Sequence, residues 1–105
     1  MMDINQACEA FKKILEEQQE RIANMNTEKT DFSTKKTVTI GVVDGDGIGP
    51  IITKQATRVL EKLLADEIAA GSIAIKYIEG LTIENRMACN QPIPSDVLTQ
   101  IKTCD

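Results

Sequence analysis

A run of β-branched residues, TVTIGVV over Thr37–Val43, leads into a glycine loop, DGDGIGP over Asp44–Pro50. An amphipathic stretch follows directly. The run is apolar at both alternating sets of positions, which suits a strand in a buried parallel sheet. Pro50 suits the first helical position, where its missing N–H costs nothing. Ile52, Ala56, Val59, Leu60 and Leu63 then form one stripe, expected to be the buried face of a helix over ~50–70. Gly71 is placed to end that helix in a left-handed conformation. The alternating segment Ser72–Glu79 (SIAIKYIE) reads as a second strand. A strand, a helix of about five turns and another strand make a parallel crossover unit.

Around this unit the pattern is less regular. Residues ~3–25 read as a helix with Ala7, Phe11, Ile14, Leu15 and Ile22 on its apolar side and Gln18 interrupting it. Its Glu9–Lys13 and Glu17–Arg21 spacings are favourable. Residues 24–36 are polar and read as a linker. The stretch 80–94 is a connection with no assigned conformation. Ser95 reads as an N-cap, followed by a short helix carrying Val97, Leu98 and Ile101. The expected organisation is an N-terminal helical extension over 1–30 and an α/β portion over 31–105, ordered β-α-β-α. Two parallel strands do not make an independent sheet. This portion is therefore expected to be incomplete as a domain, either part of a larger α/β protein or covered by another chain.

Composition narrows the function classes. Among 105 residues there are 12 basic and 16 acidic side chains. That balance disfavours sequence-independent nucleic-acid binding, which requires cations on phosphates. No stretch approaches the ~20 apolar residues of a membrane span. Histidine is absent, which removes the commonest general base and metal ligand. Cys8, Cys89 and Cys104 are scattered and odd in number, without a C-x-x-C pair. They fit a reducing, cytoplasmic setting and read as small buried or half-buried residues.

The loop fails the dinucleotide fingerprint G-x-G-x-x-G by one residue: Gly45 and Gly47 fit, but Pro50 stands where the third glycine belongs. Pro50 also removes a donor from the helix terminus that would hold a phosphate, and Asp46 adds negative charge beside it. No Gly-Lys-Ser/Thr follows, so the P-loop pattern fails too. Asp44 and Asp46 read as carboxylates accepting from loop N–H groups, and nothing nearby completes a hard-cation site. Ile48 either plugs the core or offers an apolar wall to a flat ligand. Arg58 and Arg86 read as solvated surface, and Tyr77 as packing.

Gly45-Asp46-Gly47-Ile48-Gly49-Pro50, a long helix, a strand and the later Gln91-Pro92-Ile93-Pro94 segment with its helix resemble the start of the isocitrate/isopropylmalate dehydrogenase family. The likeness runs from about Lys36 to Asp105, and Ile78–Arg86 looks closer to the isocitrate enzymes. Ile51 departs from the glutamate usual after the proline. The resemblance implies oxidation of a small 2-hydroxy acid by NAD or NADP, then loss of CO2 assisted by Mg2+ or Mn2+. It implies a homodimer and a fold distinct from the Rossmann domain. Ile48 would line the nicotinamide-nucleotide pocket, with Gly45, Asp46, Gly47 and Gly49 shaping its loop. No catalytic residue and no metal ligand falls in this stretch under that reading, so the chain alone is expected to be inactive. The alternatives are 3-isopropylmalate as substrate, or a non-catalytic interaction module that uses an unfinished sheet edge.

Overall fold

A computed structural model describes residues 3–105 of the chain. They divide into two units, one ending at Thr30 and the other spanning Asp31–Asp105. The first unit is built on helix α1, Ile4–Ala23. Asp3 caps it by accepting from the Asn5 amide, and Asn24 closes it. No residue of α1 is buried.

The second unit opens with a 3-10 turn at Phe32–Thr34, capped by the Asp31 carboxylate. That turn sits inside the stretch expected to be plain linker. Strand β1 (Val38–Val43) then pairs in parallel with β2 (Ile73–Ile78), with Val38 opposite Ile73 and Val43 opposite Ile78. The helix between the strands is broken in two. Helix α2 covers Gly49–Leu63 and α3 covers Ala65–Ala70, with Leu64 off helical geometry between them. Gly71 ends α3 at φ +80, as the sequence suggests.

Alternation along the strands assigns the two faces of the sheet. Ile75 and Tyr77 face α2 and α3, where the Tyr77 hydroxyl donates to Glu61. Gly41, Lys76 and Ile78 face the C-terminal helix α5 (Ser95–Lys102) and the residues after it. There Lys76 Nζ donates to Thr103 Oγ1 at 3.1 Å, and a side chain at Gly41 would meet Cys104 Sγ. The core is small. Ile78, Val97, Thr57 and Pro94 are the only buried residues among those described, and Thr57 satisfies its hydroxyl on the Thr53 carbonyl at 2.8 Å.

Of the expected α2 stripe, Ile52, Ala56, Val59 and Leu63 are exposed; only Leu60 is half-buried, and Thr53, Thr57 and Leu64 complete the inward side with it. The helix carries two apolar-compatible stripes, and the less hydrophobic one faces inward. Cys8 and Cys89 are exposed, leaving only Cys104 half-buried. Ser95 is not an N-cap: Pro94 holds that position, and the Gln91 side chain accepts from the Ser95 amide at 3.2 Å.

Candidate functional site

Parallel pairing brings the carboxyl ends of β1 and β2 to one edge of the sheet. The β1–α2 loop and the segment after β2 therefore lie side by side. The latter contains a helix absent from the sequence reading, α4 (Ile83–Cys89). Its signals are local and short: Thr82 accepts from the Asn85 amide at 3.3 Å, and Asn90 ends the helix in the left-handed region at φ 51. Seven residues are too few for a hydrophobic period to stand out.

Three features give the loop its shape. Gly45 and Gly47 hold φ of +69 and +62, conformations that side chains disfavour. Gly49 is needed for a different reason: an ideal Cβ there would lie 2.1 Å from the Asp44 carbonyl oxygen. Its own amide donates to the Asp46 carbonyl at 3.0 Å. The Asp46 carboxylate reaches out of the loop and accepts from the Ile83 amide, the first residue of α4. It thus ties the two connections together rather than closing only its own turn, as the sequence reading had it. An acid at that position also meets the positive end of a short helix.

Ile48 is 73 % exposed. Among the described residues it packs into no core. Asp44 is exposed as well, and lines two grooves that meet at Pro50. One is bounded by Lys54, Arg58, Glu61 and Tyr77, the other by Glu79, Leu81, Thr82 and Asn85. A further groove runs along the exposed stripe of α2 at Gln55, Val59 and Leu63; it adjoins the first at Arg58 and Glu61 and shares no residue with the loop. It is a consequence of the uncovered helix face.

The charged groups near the loop are mostly spoken for or solvated. Arg58 donates to Gln55 at 2.8 Å, and Arg86 is exposed on α4. Tyr77 is more than packing: its hydrogen bond to the Glu61 carboxylate, then partial desolvation, then the negative charges of Glu61 and Asp44 raise the phenol above its ordinary value. Among the described residues no three His, Cys, Asp or Glu side chains converge as a metal site. Nor is any described helix long and apolar enough to cross a membrane.

The far edge of β1 carries one more contact that the sequence does not announce. The Asp105 amide donates to the Thr39 carbonyl at 2.9 Å, and its carboxylate accepts from the Thr39 amide at 2.9 Å. The Lys35 ammonium pairs with the same carboxylate. Val38 bonds to the β2 side through Ser72, so Asp105 lies on the opposite side of β1. Beyond it, Gly41 and Val43 present their backbone groups along that edge.

Comparison of the chain with protein-family models, curated proteins and solved structures finds no match.

Proposed function

We propose that this chain forms the cofactor-side corner of an NAD(P)-dependent β-decarboxylating dehydrogenase acting on a 2-hydroxy acid, with isocitrate converted to 2-oxoglutarate and CO2. The carrying observation is Ile48: an exposed branched side chain on a glycine turn, at the carboxyl edge of parallel strands. That is where open α/β sheets take their ligands. A rigid turn that presents an apolar wall suits the flat face of a nicotinamide nucleotide. The loop's failure as a phosphate cradle fits this reading, because the wall contributes contact and not charge.

Substrate carboxylates need a set of cations, usually arginine forks. A divalent ion, Mg2+ or Mn2+, would stabilise the enolate after decarboxylation. Neither need is met by the described residues, so in this reading other residues supply both. The exposed stripe of α2 and the free edge of β1 at Gly41 and Val43 support the same view. They are surfaces that further sheet and helix would cover. The setting proposed is cytoplasmic, and the enzyme a homodimer.

The test has two arms. The 105-residue chain, given isocitrate or 3-isopropylmalate with Mg2+ or Mn2+ and NAD or NADP, should give no turnover. Ordinary dehydrogenase rates from it would overturn the assignment of the catalytic set to other residues. In the enzyme that carries this segment, Ile48→Asp should raise the cofactor KM by about tenfold, the equivalent of ~1.4 kcal/mol. An unchanged value would remove Ile48 from the pocket. The free β1 edge also favours a second reading, a binding module that accepts a strand there. Slowed amide exchange at Gly41 and Val43 on adding a partner peptide, with no enzyme activity in any longer form, would favour that alternative.

A further inference from the structure

Helix α1 carries a second pattern that its use as a mere extension leaves unexplained. Ile4, Cys8, Phe11, Leu15, Gln18 and Ile22 are separated alternately by four and three residues. That is the heptad spacing of a left-handed coiled coil, running through the whole helix. None of these residues is buried, and the large ones stand open: Ile4 is 79 % exposed, Phe11 62 %, Leu15 49 % and Ile22 58 %. We infer that α1 is a dimerisation helix whose partner is α1 of a second copy of this chain, parallel and in register.

The area fits such a partner. With ~200 Å² for each fully exposed large side chain, the four above together with the flanking Ile14 offer on the order of 600 Å² of apolar surface. That is the greater part of the ~800 Å² per partner that a specific interface buries. The polar layer sets the orientation. In a parallel pair Gln18 faces Gln18, and two amides can each donate and accept. An antiparallel pair with Phe11 against Leu15 would set Gln18 against the Cys8 thiol, a weak partner. It would also bring the two Lys12 ammonium groups onto one flank. The acidic residues Glu9, Glu16, Glu17 and Glu20 fall outside the seam and remain solvated. A buried Gln pair costs stability and fixes register, as polar core residues do in such seams.

This inference does not rest on the dehydrogenase reading, and its failure would leave that reading intact. The experiment uses the whole chain with Cys89→Ser and Cys104→Ser, so that Cys8 is the only thiol. A short bismaleimide should link Cys8 to Cys8, and sedimentation should give the dimer mass. Leu15→Asp should lower the linked fraction at least ~10-fold, whereas Glu16→Gln should leave it unchanged. Gln18→Leu should tighten association by about tenfold, an effect that cannot come from misfolding. A dimer mass that survives Leu15→Asp would overturn the inference, because association would then run through another surface. So would a dimer that bismaleimide fails to link, or a Gln18→Leu chain no tighter than the parent.

Discussion

Gly49→Ala is expected to be the most damaging single-methyl change in the loop. The added Cβ would sit 2.1 Å from the Asp44 carbonyl oxygen, whereas real Cβ atoms stay beyond 3.0 Å. The blocking atom is backbone, so no rotamer change relieves the clash. Either the end of β1 or the first turn of α2 must move by about an ångström. Moving the turn endangers the bonds from the Gly49 amide to Asp46 and from the Ile52 amide to Ile48. Each is worth about 1 kcal/mol, and the residual strain adds a similar amount. Alanine's better helix propensity returns up to ~1 kcal/mol. The net loss is about 2 kcal/mol. Gly47→Ala provides the comparison, because no atom lies within 4 Å of its added Cβ and only the positive φ of +62 is unfavourable. That change should cost about 1 kcal/mol. Urea unfolding followed by circular dichroism, with amide exchange at Ile40 as a local probe, separates the two. Gly49→Ala as stable as the parent, or less harmful than Gly47→Ala, would refute the close-approach argument.

Two further outcomes concern titrating groups. Tyr77 is the only tyrosine and the chain has no tryptophan, so its phenol can be titrated by absorbance without interference. It should ionise above its ordinary value of 10.0, and Glu61→Gln should bring it back down. An unchanged midpoint would mean that the Tyr77–Glu61 bond does not form in solution. Asp105 is held below its ordinary 3.8, first by the Lys35 ammonium and then by the Thr39 amide. A lowered acid favours the folded state above its ordinary value and loses that contribution as pH falls through the folded one. The Thr39 amide should therefore lose protection, relative to the unstructured exchange rate at the same pH, below about pH 4. Asp105→Ala should remove this acid dependence, and its persistence would assign the effect to another group.

Much of the second unit is legible in its sequence because local chemistry and tertiary role agree there. The β-branched runs become β1 and β2, Pro50 enters α2 near its start, and Gly71 ends α3. Where they part, the sequence misleads. On α2 most of the hydrophobic stripe points outward, Leu60 alone of it being half-buried, and Thr53 and Thr57 point in. Periodicity identifies stripes but not which one meets the sheet. The shape of the loop is local, set by glycines at Gly45, Gly47 and Gly49. The partner of Asp46 is not, since Ile83 lies 37 positions away. The same holds for Thr39 and Asp105, 66 positions apart. Such pairs follow from strand register, which no single stretch encodes.

The cofactor KM of Ile48→Asp, measured beside Ile48→Val in the proposed dehydrogenase, decides whether Ile48 lines a cofactor pocket. KM should rise about tenfold for Asp and change little for Val, with the KM for the 2-hydroxy acid unaltered. Equal cofactor KM values for all three proteins would contradict it, and the loop would then be a structural corner with no ligand on its wall.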